Sequence, residues 1–385
     1  MVIEADRICH GVTGCTTAKV TAQHGLVYDK ILSRFGREKA QGYLNANLEA
    51  LAQYKKLCKE IDCDFVEQDS WVYSVDDRRK LEKEMAALER IGAPAELGNK
   101  LPLPFETVGG IRFARQAQFH PLKFAAQLAK ELPIYEQTKA LAYEGGHTVV
   151  TNRGKIRAEK IIVATHFPIW NKHGSYFLKM YQHRSYVLAL KNCPHLDGMY
   201  VDESGKGLSF RRQGELLLLG GGSHRTGKTG GNWAELRDVT ARYYPNAKEV
   251  YQWATQDCMT LDNIPYIGQY SKNTPGVYVA TGFNKWGMTS VMAGASILSD
   301  LVQGKENPYQ DVFSPSRTIL RPQLLCNALE STVNLLTPTK PRCPHLGCAL
   351  KWNATEHSWD CPCHGSRFAE DGKLLNNPAT DDMKK

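Results

Sequence analysis

Two short segments near the C-terminus carry residues whose types and spacing suit metal chemistry. Cys343-Pro344-His345-Leu346-Gly347-Cys348 offers a C-x-H pattern, and Cys361-Pro362-Cys363-His364-Gly365-Ser366 offers C-x-x-H. Thiolates and neutral imidazoles in one set suit a 2Fe–2S cluster whose two irons each take one ligand type. Zinc also accepts two Cys and two His, but its usual spacing sets Cys beside Cys and His beside His. Here each segment is mixed, and two further thiols, Cys348 and Cys363, are left over. The pattern therefore favours the cluster over zinc.

Residues 341–378 resemble a Rieske centre. By that resemblance Cys343 and Cys361 hold one iron, and His345 and His364 hold the other. The resemblance further implies a Cys348–Cys363 disulfide that clamps the two loops and shields the cluster. Such a pair marks the Rieske proteins of electron-transfer chains, whereas the ring-hydroxylating oxygenases lack it. In the high-potential members a Ser after the His-Gly pair and a Tyr two places later donate hydrogen bonds that raise the potential. This chain keeps the Ser as Ser366 and has Phe368 in place of the Tyr. A potential in the middle of the Rieske range, about −150 to +300 mV, is expected.

The elements that must position these loops belong to a chain of 385 residues, long enough for two or three domains. Its formal charge is +8, but Lys and Arg are interspersed with acids, and no basic run is interleaved with aromatics. Nucleic-acid binding is therefore not expected, while an acidic redox partner could be steered by the field. No apolar run is long enough to span a bilayer, and the N-terminus lacks the form of a signal peptide. Of the 11 cysteines, those outside the two loops (Cys9, Cys15, Cys58, Cys63, Cys193, Cys258 and Cys326) are dispersed and read as free thiols. A soluble cytoplasmic protein is the expectation.

Read from the start, Val2-Ile3 is a short strand ending at Glu4, the way a dinucleotide-binding fold presents a ribose-binding acid. The Gly-punctuated stretch Gly11 to Gly25 would let backbone amides approach a ligand. Helical spacing of apolar residues predicts helices over Arg37 to Ile61 and Asp76 to Ile91, with an edge strand over Phe65 to Val75 between them. Gly109 to Pro121 reads as strand, loop and helix start, with His120 as a loop or capping residue. A hairpin about Asn152-Arg153-Gly154 leads into a buried strand, Ala158 to Thr165. Strands are expected over Arg184 to Leu190, Gly207 to Arg212, Glu215 to Gly222 and Trp253 to Asp257, with a helix from Trp233 to Tyr244. Gly276 to Thr289 reads as strand, Gly turn and helix start, the helix running to about Val302. Its N-terminus would favour negative charge on a flavin.

Glu4, the loop 11–25, Val163-Ala164-Thr165 and the 276–289 stretch together resemble the D-amino-acid-oxidase and glycine-oxidase superfamily over residues 1–305. The implied fold is an α/β (α+β) FAD/NAD(P)-binding Rossmann-like domain with a mixed β substrate sheet. A Pro-containing linker (306–340) and a small all-β Rieske domain (341–385) would follow. The resemblance implies FAD as cofactor, with Glu4, Thr16, Thr17, Thr165, Thr281, Gly282, Gly287 and Met288 at its site. Arg211, Arg212 and His224 fall where the substrate sheet would face the ring, although each position is also a common one for an ordinary surface charge. The superfamily's opening strand, G-x-G-x-x-G turn and helix are missing from the sequence, so the expectation is a chain truncated at its start.

Gly222-Ser223-His224-Arg225-Thr226-Gly227-Lys228-Thr229 matches the phosphate-loop pattern. That pattern works only where a helix starts at the Lys, and Gly230-Gly231-Asn232 follows instead. A Gly-rich loop beside the flavin ring is expected in its place. The expected function is an oxidoreductase passing electrons between an FAD-linked small molecule, an amine or amino acid by resemblance, and the Rieske cluster. A soluble electron-transfer protein is a conceivable further partner. The alternative is an electron carrier on a flavin fold that no longer binds FAD.

Overall fold

A computed structural model describes residues 1–170, 173–204, 207–339 and 341–384. Lys340 and Lys385, at the bounds expected for the linker and the last domain, lie outside the described residues.

Among the described residues the largest sheet has nine strands. Its order runs Lys248–Thr260, Met180–Lys191, Leu216–Arg225, Ser209–Gln213, Met199–Asp202, Val66–Ser74, Gly109–Gln118, Lys19–Val20, with Ala95–Gly98 also on Gly109–Gln118. Only the Met199–Asp202 and Val66–Ser74 pair is parallel, so the sheet is mixed as expected. Val66–Ser74 was expected at an edge, yet it sits inside the sheet, bonded on both sides. Its alternation reflects one face on a core and one on polar groups, a pattern that interior antiparallel strands share with edges.

Alternation divides the sheet's residues cleanly between two faces. Tyr73, Tyr186, Leu188, Tyr200, Phe210, Leu217 and Leu219 pack under the helix Asn232–Tyr243, whose Leu236 is fully buried among them. On the opposite face Val187, Ala189 and Leu218 form a smaller apolar strip with Trp253.

The expected dinucleotide elements form two further sheets. Val2–Ile3 pairs in parallel with Ile134–Tyr135, and Val277–Thr281 lies between Ile161–Val163 (parallel) and Tyr266–Gln269 (antiparallel). The strand expected to be buried over Ala158 to Thr165 is shorter, and Ile162 is 51% exposed. Among the described residues it has a partner strand on one side only.

Helices Tyr28–Leu57, Arg78–Arg90 and Gly287–Val302 share the main core. The first starts earlier than its apolar stripe, because Gly36 (φ 82°) joins two helical pieces across a kink. Its first amides, of Tyr28 and Asp29, both donate to the buried Glu84 carboxylate at 2.8 Å. Burial pushes Glu84 up to about 7, partly offset by those two bonds. His120 does cap the helix Pro121–Ala129, accepting from the Lys123 amide.

The segment read as a linker is largely structured. Helix Gln310–Phe313 inserts Val312 and Phe313 into the main core. Arg317 forms a buried ion pair with Asp262 at 2.7 Å and lies over the Tyr266 ring. Pro322 then opens a helix to Leu336, the N1 position where its missing amide costs nothing. Proline spacing alone does not distinguish that use from a coil.

The last module is a four-stranded antiparallel sheet, Lys351–Asn353, Ser358–Asp360, Arg367–Ala369 and Leu374–Asn376. It is fixed to the large sheet through Glu356. That carboxylate accepts from Arg184 Nε at 3.0 Å, from Arg367 Nη2 at 2.9 Å and from the Tyr186 hydroxyl at 2.8 Å. Burial alone would raise the Glu356 pKa, but Arg184 and Arg367 together hold it below the ordinary carboxylate value.

Removing the shared anion leaves the buried Arg184 guanidinium without a carboxylate and Arg367 with Asp360 alone. Glu356→Gln should destabilise the protein by about 3–5 kcal/mol in urea unfolding. Because the folded pKa is depressed, this contribution is present above the unfolded value of about 4.3 and is lost as pH falls through the folded value. A change below about 1 kcal/mol, with an unaltered acid limb, would show that the pair does not join the modules.

Candidate functional site

The two cluster loops close on themselves through their own backbones. Gly347 N donates to Cys343 O and Gly365 N donates to Cys361 O, both at 2.9 Å. Gly347 (φ 78°) and Gly365 (φ 91°) adopt the left-handed conformation these turns need. A Cβ on Gly365 would also stand 2.6 Å from the Gln182 side chain. Cys348 and Cys363 are joined as a disulfide, Cα to Cα 6.8 Å, tying loop to loop.

Cys343 and Cys361 are each 1% exposed, and the His345 and His364 rings stand 5.0 Å apart at 86°. Burial holds His345 down at about 4; burial, then His345 and Arg225, hold His364 down at about 3. Both imidazoles are therefore neutral, the form that binds metal. His364 Nδ1 is buried with no hydrogen-bond partner, which ligation would supply. The Cys361 thiol is pulled down by its hydrogen bond with Cys343 and by the amides of His364, Cys363 and Gly365, against its burial. Cys343 is raised, first by the same shared hydrogen bond. Two clustered thiols and two neutral imidazoles fit a 2Fe–2S centre. The sulfurs of Cys348 and Cys363 also lie within 4.8 Å of Cys361 Sγ, but the disulfide occupies them.

The second cluster loop rests on the large sheet. Gln182 Nε2 donates to His364 O and Gln256 Nε2 to Gly365 O, each at 2.8 Å. Arg225 donates to the carbonyls of Pro362 and Cys363 at 3.0 Å. Gly227 fits only without a side chain, since a Cβ there would meet Pro362 at 2.6 Å. The stretch with the phosphate-loop pattern thus supports a cluster loop, where a position beside the flavin ring was expected. Its helix begins at Asn232, and Lys228 pairs with Glu330 at 2.7 Å.

The residues expected around FAD lie on several elements. Glu4 lies on the small two-stranded sheet, accepting from the Asp6 amide at 3.0 Å. Gly287 and Met288 open the helix Gly287–Val302, which has no side-chain cap, and Thr281 and Gly282 lead into it from the strand Val277–Thr281. Thr289 binds Thr21 O (2.9 Å) and His24, and Tyr54 donates to Met288 O at 3.0 Å. The Thr281 hydroxyl donates to His166 O, and Thr165 Oγ1 to Phe167 O. Thr16 and Thr17 accept within their own loop, from the Ala18 amide and the Lys19 ammonium. Gly282 (φ 71°) admits no Cβ, which would lie 2.4 Å from Thr260. Asn377 of the last module donates to the carbonyls of Thr165 and Phe167, so one turn touches both regions.

Buried polar atoms without a protein partner occur in these same elements and on the sheet beside them. Gln23 Oε1, Ser290 Oγ, His183 Nδ1, Thr255 Oγ1 and the Nε and Nη1 of Arg211 are among them. Orphans on this scale are rare in a protein interior and fit a large polar ligand such as FAD with its substrate. The sequence reading missed His183, Asp257 and Lys285. His183 and Asp257 face each other across two strands, and Lys285 donates to Ser223 at 3.3 Å. Burial raises Asp257 and lowers Lys285; burial, Lys285, Arg225 and His224 hold His183 down at about 3. The one signal available was Lys285 itself, a charge inside the Gly282–Met288 motif. Of the three substrate-sheet candidates, Arg212 binds the carbonyls of Pro194 and Glu215. His224 bonds Tyr186 and Arg225 O on the Glu356 side. Arg211 alone is deeply buried with donors unused.

Fold and donors together define a flavoprotein-type oxidoreductase bearing an iron–sulfur module. The FAD dependent oxidoreductase (DAO) family matches residues 1–301, and the Rieske [2Fe-2S] domain matches 331–385. The chain belongs to the FAD dependent oxidoreductase family and ends in a Rieske domain; these families bind FAD and a 2Fe–2S cluster respectively. It is 36% identical to the putative Rieske 2Fe-2S iron-sulfur protein YhfW of Bacillus subtilis, over all of this chain and 88% of that protein. Iron-sulfur subunit 3 of the cytochrome b6-f complex of Nostoc sp. is 31% identical over 24% of this chain and 56% of its own length. Glycine oxidase from Geobacillus kaustophilus superposes with a TM-score of 0.66 at 20% identity, covering 82% of this chain and 91% of that one. L-proline dehydrogenase from P. horikoshii gives 0.64 at 16% identity, covering 80% and 90%.

Purified protein should hold two irons and two acid-labile sulfides per chain, and Cys343→Ser or His364→Ala should abolish both. Zinc without sulfide would refute the donor assignment. Ser366 sits at the cluster loops, hydrogen-bonded to Cys343 and accepting from the Ala379 amide, and Phe368 is fully buried among the four loop cysteines. Film voltammetry on the full chain should show Ser366→Ala lowering the midpoint and Phe368→Tyr raising it, each by roughly tens of millivolts. No movement in either variant would place both side chains out of reach of the cluster.

Proposed function

We propose that the protein oxidises a small amine or amino acid at an FAD site and delivers the electrons to its own Rieske cluster. The observation that carries this reading is the seat of the second cluster loop on Gln182 and Gln256. Those two residues belong to the strands whose neighbours His183 and Asp257 turn to the opposite face, beside the start of helix Gly287–Val302. FAD, when bound, takes electrons in pairs and the cluster takes them singly, so the two together convert one mode to the other.

The chain's own residues supply the setting. Thr16, Thr17, Thr165, Thr281, Gly282, Gly287 and Met288 would hold FAD, with Glu4 at its ribose. The uncapped helix start favours negative charge near the ring. Neutral His183 offers a proton acceptor, with Asp257 opposite it across the strands and the charge of Lys285 bearing on both. Cys343, Cys361, His345 and His364 would hold the cluster. The disulfide and the amide cradle exclude water from its inner side. A soluble electron-transfer protein would remove the electrons, and the dispersed thiols support a cytoplasmic setting.

Relatives in the fold act on glycine and L-proline by name, which makes these the first donors to try. Under anaerobic conditions, glycine or another small amine should bleach the flavin absorbance, and the reduced cluster's electron-spin signal should follow. Gln182→Leu should slow the second phase about tenfold or more while leaving the first unchanged. Reduced flavin beside a cluster that stays oxidised would overturn internal transfer. Intact cluster in protein that takes up no flavin would instead support a plain electron carrier.

A further inference from the structure

Two of the thiols outside the cluster loops are neighbours in space. The sulfurs of Cys58 and Cys63 stand 3.4 Å apart and share a hydrogen bond. Backbone bonds hold each of them there. Cys58 follows the last residue of helix Tyr28–Leu57, and its amide donates to Tyr54 O at 2.9 Å. The Ile61 amide donates to Leu57 O at 3.1 Å, continuing the turn past the helix end. Cys63 O then accepts from the His120 amide at 2.7 Å, beside the start of helix Pro121–Ala129. Sulfurs in a disulfide lie about 2.05 Å apart, so closing this pair takes about 1.4 Å of combined movement.

A surface pocket of about 580 Å³ opens over the pair, lined by both cysteines and by Lys55, Lys59, Asp62 and Asp64. Cys58 is half-buried and Cys63 is 1% exposed, so a reagent in the pocket meets Cys58 first. Burial pushes the Cys58 thiol up to about 12, with the hydrogen bond to Cys63 adding to it, and burial raises Cys63 as well. The pair therefore rests as two thiols, near enough to react together once one of them is engaged. A zinc site is not what it fits. Among the described residues no third Cys, His or carboxylate donor completes a metal-binding group with these two sulfurs.

We propose that Cys58 and Cys63 form a redox-active dithiol that exchanges with small-molecule disulfides and closes to an intramolecular bridge. Cys58 Sγ, as thiolate, attacks one sulfur of the small disulfide. That S–S bond breaks, a mixed disulfide forms at Cys58, and one small thiol leaves. Cys63 Sγ then attacks Cys58 Sγ, forming the bridge and expelling the second small thiol. The pair loses two electrons and two protons, and the small disulfide gains them as it becomes two thiols. The bridge ties the end of helix Tyr28–Leu57 to the segment leading into Val66–Ser74. Tyr54, one turn before Cys58, donates to Met288 O at the start of helix Gly287–Val302. Neither FAD nor the cluster takes part in the step, so the dithiol stands or falls apart from the proposed function.

The test equilibrates the full-length protein anaerobically in glutathione buffers of rising oxidised fraction, quenches with acid and maps tryptic peptides by mass spectrometry. Cleavage after Lys59 leaves Cys58 and Cys63 on separate peptides, so the bridge appears as a linked pair. Exposed Cys326 serves as the internal reference. Proximity favours the bridge, so linkage should be half complete at an oxidised fraction about tenfold or more below that which half-loads Cys326 with glutathione. Dithiothreitol should release it. In Cys63→Ser the second thiol is gone, and Cys58 should retain glutathione. Linkage that needs as oxidising a buffer as Cys326 does, or no linkage, overturns the proposal. Linkage of Cys58 to another cysteine overturns it equally, as does a Cys58 that stays free in Cys63→Ser where Cys326 is loaded. Should that variant, at a buried position, fail to fold, the map of the unaltered protein decides alone.

Discussion

The fold's two halves meet at one carboxylate. Glu356 comes from the small C-terminal sheet, Arg184 from the large sheet, and Arg367 closes the arrangement from a second strand of the small one. Arg367 is held in turn by Asp360 at 2.9 Å. Two guanidiniums compensated by two carboxylates, all buried, are stable only while every member is present. This makes the docking of the cluster module conditional on a specific geometry instead of on greasy surface, which could slide. Around this network the amides of Gln182 and Gln256 and the guanidinium of Arg225 bind four consecutive backbone carbonyls, Pro362 to Gly365. A cluster loop held by its carbonyls keeps its amides free to point inward, where they stabilise thiolate.

The module's small size follows from that support. Four strands of three residues each enclose little apolar area, and its core is built mainly from the loop cysteines with Leu350, Phe368, Ala379 and Met383. Small cores of this kind need covalent or metal staples. Here the Cys348–Cys363 bridge supplies one and the cluster would supply another. The helix Pro322–Leu336 adds a third restraint, through Asn334 O accepting from the Ala349 amide at 2.9 Å and the Lys228–Glu330 pair.

On the flavin side the economy is reversed. The elements are well packed at their backs, yet they present polar atoms with no protein partner toward one another. Arg211, Thr255 and His183 would each be destabilising in a closed interior. They are tolerable in a region built to be completed by ligands. The 165–167 turn, bonded by Thr281 on one side and Asn377 on the other, links the two regions through the backbone.

Covalent chemistry is local, and the sequence by itself determined that part: the bridging pair, the two loops that carry the four candidate cluster donors, and a flavoprotein fold read from ordered short motifs. Turn chemistry is local too, so His120 as a cap and the interruption after Lys228 were also legible. Burial and partnership depend on strands far apart in the chain, and there the sequence fell short. Val66–Ser74 alternates like an edge strand but lies inside the sheet, because which neighbours flank it is decided by residues 109–118 and 199–202. Prolines between 308 and 341 suggested a coil, but the cavity beside Tyr43 that Phe313 fills exists only once the helices have packed. Arg211, Arg212 and His224 looked alike as charges on a sheet. Only the tertiary structure gave Arg212 its carbonyls, His224 its tyrosine and Arg211 a single amide oxygen for its buried donors, since a hydrogen-bond partner is a property of folded geometry and not of residue type.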